Sequence, residues 1–165
     1  MFVLEKAEGN REERYKHLLK QAESLLEGER DWVANLANAA SLLYFTLEGV
    51  NWCGFYLLRG EELILGPFMG KPACVRIPVG KGVCGTAAEK RKTQVVPDVF
   101  QFPGHIACDA DSRSEIVVPM MLEDRLIGVL DIDSPVISRF DAVDQKYLEQ
   151  FAEKVVLHVD WSSFK

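Results

Sequence analysis

The chain has 165 residues, 48% of them apolar and 27% charged, the size and composition of one globular domain with a core of its own. Its formal net charge of −6 speaks against nucleic-acid or anionic-membrane surfaces, which need a basic patch, and no run approaches the roughly 18 apolar residues of a membrane span. The opening MFVLEKAEGNREER turns charged after four residues, too early for the apolar region of a signal peptide, so a cytoplasmic protein is expected.

Positions 11–27 carry Tyr15, Leu18, Leu19, Leu25 and Leu26 at helical spacing with charges between them, an amphipathic helix. A second helix is expected over 32–47. It is rich in Ala and Leu and apolar all round, which suits burial against a sheet or a partner subunit. From Asn51 the pattern becomes β. Strands are expected over 51–58 and 62–68, joined by a turn at Arg59-Gly60-Glu61, and a third over 75–79. Gly80-Lys81-Gly82 breaks the chain before a short helix over 83–91, and a strand near 93–96 stops at Pro97-Asp98. Positions 99–113 lack periodicity and read as a long loop, the kind of segment that often carries function. Two strong strands over 115–122 and 126–133 follow, and an amphipathic helix over 140–159 closes the chain.

This order fits an α+β layered domain spanning 1–165, with helices in 11–47, sheet and loops in 51–134 and a last helix in 140–159. The expected sheet is antiparallel, of about six strands. The N- and C-terminal helices pack on one face, and the 80–113 insertion roofs a small-molecule pocket on the other.

The chain has four cysteines and three histidines, and none has the spacing of a structural zinc site, so no metal is expected. Cys84 stands at the start of the short helix, where free N–H groups, the helix dipole and Lys81 favour a thiolate; it equally suits a small core position. Cys108 lies in the long loop, which makes core filling a weaker explanation. His105, three residues before it, is read as a loop histidine serving hydrogen bonds rather than as a base. Cys74 follows a turn and leans towards exposure, whereas Cys53, mid-strand among aromatics, is read as structural.

Glu115 opens one late strand, and strand alternation puts Asp131 and Asp133 on one face of the next. Such carboxylates repel unless they meet a cation, a proton or a hydrogen-bonding ligand, and a bound amino group would satisfy them. A helix-capping role for Asp133 is the plainer alternative. Trp52 and Tyr56 share one face of the first strand and, on the residues alone, read as core.

Together NWCGFY (51–56), GKGVCGTA (80–87), FPGHIACD (102–109), SRSEIVV (112–118) and GVLDIDS (128–134) resemble the free methionine-(R)-sulfoxide reductases, stand-alone enzymes of GAF fold. The resemblance runs from Trp52 to the last helix, and the two leading helices match in placement. It implies reduction of free methionine (R)-sulfoxide to methionine, with thioredoxin as reductant, no bound cofactor and a homodimer. The family's functional cysteines fall on Cys74, Cys84 and Cys108, with C-x9-C-x23-C spacing kept. By resemblance, Cys108 attacks the sulfoxide and becomes a sulfenic acid, and Cys84 or Cys74 condenses with it to a disulfide. The family's pocket acids fall on Glu115, Asp131 and Asp133, and its aromatic wall on Trp52 and Tyr56. The competing expectations are a ligand-sensing GAF domain without catalysis and a thiol redox sensor.

Overall fold

The computed structural model describes residues 1–106 and 109–164. Helices α1 (Arg11–Leu26) and α2 (Trp32–Thr46) precede strands β1 (Trp52–Arg59), β2 (Glu62–Gly70) and β3 (Arg76–Pro78). Helix α3 (Gly82–Lys90), strands β4 (Gln94–Val96), β5 (Ser114–Leu122) and β6 (Arg125–Ser134), and helix α4 (Ala142–His158) complete the fold. The helices start where side chains satisfy free backbone donors: Asn10 accepts from the Glu13 N–H, Asp31 from Ala34, and Asp141 forms a reciprocal capping box with Asp144.

The six strands form one sheet in the order β3-β2-β1-β6-β5-β4, with every neighbouring pair antiparallel. The two strands of strongest pattern, β5 and β6, lie with β1 at its centre. Alternation then sorts their side chains into two layers. Phe55, Ile116, Leu130 and Ile132 face α1, α2 and α4, where they meet Leu36, Leu43 and Phe151 in the main core. Trp52, Tyr56, Val117 and Val129 face the other way, towards α3 and a smaller core. Each large side chain fully buried in this way stabilises the fold by about 1.5–3 kcal/mol.

The α+β architecture agrees with expectation, with shifts of a residue or two at element ends. Two short 3-10 turns are additional. Val99–Gln101 lies inside the expected loop, capped by Asp98, and Trp161–Ser163 follows α4 and buries Trp161 and Phe164 against the main core. Helix α2 packs on the sheet but is not apolar-buried all round, since Val33 and Phe45 are exposed.

Candidate active site

The register of the three central strands assembles the site. Trp52 pairs with Asp133 and Gly54 with Asp131 across β1 and β6, while Glu115 pairs with Asp133 and Val117 with Asp131 across β5 and β6. Three carboxyl groups and two aromatic rings are thereby brought to one face. Between the rings sits Gly54, where a Cβ would come within 2.8 Å of the Trp52 ring and 2.3 Å of Phe68 Cβ. The missing side chain lets Trp52 stack between Tyr56 and Phe68, with ring centroids 5.9 and 5.2 Å apart. Two of the three rings also act as donors. Trp52 Nε1 donates to the Lys71 carbonyl (3.1 Å) and the Tyr56 hydroxyl to the Cys74 carbonyl (2.8 Å), holding the 71–74 segment over the sheet.

The second wall is the start of α3. Gly82, at φ +62°, turns the chain into the helix and leaves space for Ile106, whose side chain would lie 3.1 Å from a Cβ there. Parts of 99–113 close the remaining side. Asn51 Nδ2 donates to Asp109 Oδ2 (3.4 Å) and Ser112 Oγ (3.3 Å), and the Arg113 N–H donates to the Ser134 carbonyl (2.8 Å). Lys71 Nζ reaches Asp111 Oδ2 at 2.8 Å and links the two covering segments. The resulting cavity is about 40 Å³, more than the about 10–15 Å³ that one water needs on the same measure.

Its electrostatics are dominated by buried acid. Burial, and after it the charges of Asp131 and Asp133, push the Glu115 carboxyl well above the usual carboxylate range. Burial followed by Asp131 does the same to Asp133, and burial raises Asp131. None of the three makes an ion pair with a basic side chain among the described residues. Like charges this close cannot all ionise in a desolvated site, so at neutral pH the cluster retains a proton. A protonated carboxyl beside an ionised one offers both a hydrogen-bond donor and an anchor for a cation.

Glu115, Asp131, Asp133, Trp52, Tyr56 and Cys84 all line this cavity. The rings of Trp52 and Tyr56 are core and cavity wall at once. Asp133 does not cap the last helix, because Asp141 does. Of the two readings of Cys84, activated thiolate or small core residue, the structure favours the second. Cys84 is free and buried, its Sγ 4.0 Å from Glu115 Oε2, and burial followed by the charges of Asp131 and Glu115 pushes its thiol well above its ordinary value. Two facing acids and lost hydration outweigh the helix end. Cys74 is half-buried and disulfide-bonded. Cys108 lies outside the described residues. Cys53 is free and fully buried on the opposite, helix-covered face.

His105 differs from its reading as a histidine serving hydrogen bonds. It lines the cavity, its Nδ1 is buried without a partner among the described residues, and burial lowers its pKa. Asp109 and Ser112 also line the cavity and were missed as site residues. Their signal was local: Asp109 Oδ1 accepts from the Asp111 N–H (2.9 Å), a turn that Asp in an irregular segment favours.

Residues 10–159 match the model of the GAF domain family. The chain is 57% identical over 155 residues to Protein YtsP of Bacillus subtilis, covering 93% of this chain and 95% of that one. To the free methionine-R-sulfoxide reductase of Escherichia coli it is 50% identical over 158 residues, covering 94% and 96% of the two chains. The X-ray structure of the free methionine-R-sulfoxide reductase of Neisseria meningitidis in complex with its substrate superposes with a TM-score of 0.92 at 46% identity, covering 96% of this chain and 95% of that one.

Proposed function

The chain belongs to the free methionine-R-sulfoxide reductases of the GAF-domain family and reduces methionine (R)-sulfoxide; we propose that it does so by thiol chemistry in this cavity. The observation that carries the mechanism is the cluster of two buried acids and one half-buried acid facing a stacked aromatic wall in one cavity. In the proposed reaction the Cys108 thiol attacks the sulfoxide sulfur while the oxygen accepts a hydrogen bond from protonated Glu115. The sulfoxide S–O bond breaks as a new S–O bond to Cys108 forms, so methionine leaves with its sulfur reduced and Cys108 is oxidised to a sulfenic acid that keeps the thiol hydrogen as S–OH. Asp131 and Asp133 hold the substrate ammonium, and Trp52 and Tyr56 flank the methyl sulfoxide.

A second thiol then condenses with the sulfenic acid, releasing water and forming a disulfide. We assign this step to Cys74 before Cys84. In support, Cys74 is disulfide-bonded and held by Tyr56, whereas Cys84 is a free, buried thiol poorly disposed to ionise. An external dithiol of the thioredoxin class restores the enzyme, so each cycle consumes one sulfoxide and two thiol hydrogens and yields methionine and water. The reaction needs no bound cofactor.

Among the described residues no helix is long and apolar enough to cross a membrane. A cytoplasmic location suits enzymes with two free thiols, and the exposed Val33 and Phe45 of α2 are the surface we assign to homodimer contact. The deciding assay supplies each free methionine sulfoxide epimer with thioredoxin and its reductase and quantifies methionine. Methionine from the R epimer alone, abolished by Cys108→Ser, is expected. Absence of methionine from the R epimer would overturn the reading, and full activity of the Cys108→Ser variant would move the nucleophile to Cys84.

A further inference from the structure

We propose that the substrate-free cavity is also a Zn²⁺ site, formed by Cys84 Sγ with one carboxylate oxygen each from Glu115 and Asp131, and that the ion blocks the reductase site. The inhibitory half of the proposal rests on the reading above; the metal site itself does not. The three ligand atoms lie within 4.8 Å of one another and belong to buried side chains. Zinc bonds of about 2.0–2.3 Å place ligands of a tetrahedral site roughly 3.3–3.8 Å apart, so movements of about an ångström close the set. The residues come from α3, β5 and β6, so no short spacing motif announces the site.

A second observation points to a ligand independently of this clustering. Asp131 is buried, and its Oδ1 has no hydrogen-bond donor among the described residues although it belongs to the cavity wall. A buried carboxylate oxygen left without a donor is costly and is ordinarily explained by a missing ion or water. No basic side chain pairs with Glu115 or Asp131 among the described residues, so none of those cations competes with a bound ion for their oxygens. The thiol selects among cations. Calcium and magnesium prefer oxygen ligands, whereas one sulfur with two carboxylates suits zinc. The cavity of about 40 Å³ accommodates the ion and one water as fourth ligand.

Binding exchanges the Cys84 S–H bond for S–Zn. The thiol proton, and any proton held by the two carboxyls, passes to solvent, and nothing is oxidised or reduced. Because Cys84 is free while Cys74 is disulfide-bonded, the ligand set persists in the disulfide form. The ion would occupy the place proposed for the substrate ammonium and remove the proton donor, giving reversible inhibition by a competing cation.

The test titrates ZnCl2 into the disulfide-form protein by calorimetry and records the absorption spectrum with Co²⁺ on the same parent protein. One Zn²⁺ per chain at micromolar affinity or tighter is expected, weakened at least about tenfold in both Cys84→Ser and Asp131→Asn. Co²⁺ should give a thiolate charge-transfer band with tetrahedral d–d intensity, a result that does not depend on any variant folding. No binding, binding equally strong in both variants, or a pale octahedral Co²⁺ spectrum without charge transfer would overturn the site. In desalted reduced enzyme, one equivalent of Zn²⁺ should suppress single-turnover methionine release and a chelator should restore it. Undiminished release at saturating zinc overturns the inhibition. A zinc-binding protein with the Co²⁺ signature that releases no methionine without zinc would instead overturn the reductase reading and support the site.

Discussion

The proton on the Glu115 carboxyl is held by burial and by two neighbouring acids, and the sign of that shift governs what its loss does. An acid whose carboxyl is pushed up on folding favours the protonated fold, so its contribution to stability declines as pH rises from the ordinary carboxylate range. Glu115→Gln removes the titration and keeps the shape. The variant should therefore gain on the parent in melting temperature as pH rises above the ordinary glutamate value of about 4.3. Over the same interval its single-turnover methionine release should fall by about a hundredfold or more, the usual worth of a positioned acid. A variant that melts lower than the parent at alkaline pH would show that Glu115 is ionised and stabilising instead. Asp131→Asn and Asp133→Asn address the ammonium. Each lost charge-assisted bond is worth about 1.5–3 kcal/mol, so discrimination between free and N-acetylated methionine sulfoxide should narrow tens- to hundredfold in kcat/KM. An unchanged ratio in both variants would place the ammonium elsewhere.

At the scale of elements, the strand β1 does more than wall the cavity, because its Tyr56 hydroxyl holds the Cys74 carbonyl. Tyr56→Phe keeps the ring and removes the tether. Methionine release in one turnover should be nearly unaffected, while the disulfide-forming step, followed by loss of free thiol after mixing with substrate, should slow several-fold. Slowing of methionine release by the same factor would mean that the hydroxyl serves the attack itself. Lys71→Ala makes a useful contrast, since its pair with Asp111 is exposed and worth little. The elements themselves were legible because period-2 and period-3.6 patterns report which side is buried, and alternation placed Asp131 and Asp133 together correctly. The two readings of Cys84, thiolate and core residue, could not be separated in the sequence because position at a helix start is a local property. The acids that reverse its chemistry arrive from β5 and β6, through a register that no local pattern encodes. Asp109, Ser112 and His105 lie in an aperiodic segment, where sequence gives turn chemistry but no direction for side chains.

Across the whole molecule, the face opposite the cavity is tied by a second buried acid of a different kind. Asp144 is fully buried, yet it accepts from the Tyr15 hydroxyl (2.5 Å), Arg139 Nη1 (3.3 Å) and the Asp141 N–H (2.9 Å), and Arg11 Nη1 lies at 3.5 Å. These contacts join α1, the 135–141 connection and the start of α4. Asp144→Ala would leave the buried Tyr15 hydroxyl without its acceptor and remove the carboxylate shared by Arg11 and Arg139, and it should cost about 3–5 kcal/mol in unfolding free energy. Methionine released per folded molecule should stay at the parental value, because the whole sheet separates Asp144 from the cavity. Lost activity at a temperature where circular dichroism reports a folded protein would mean that the two layers are coupled. The neighbouring Asp141 gives this face its pH dependence. Its hydrogen bond with Arg11 holds the carboxyl down to about 2. A depressed carboxyl stabilises the fold above its unfolded value, near 4, and that stabilisation is lost as pH falls towards 2. Asp141→Asn should thus be less stable than the parent at neutral pH, and the difference should vanish in acid. Because the pair is largely exposed, added salt should shrink that difference at neutral pH as well. The two faces therefore pull in opposite directions. Acid weakens the helix layer and alkali weakens the carboxyl cluster, so the unfolding free energy should peak between them. Glu115→Gln should flatten the alkaline limb alone and Asp141→Asn the acid limb alone; a variant that alters both limbs would show that the two clusters titrate as one.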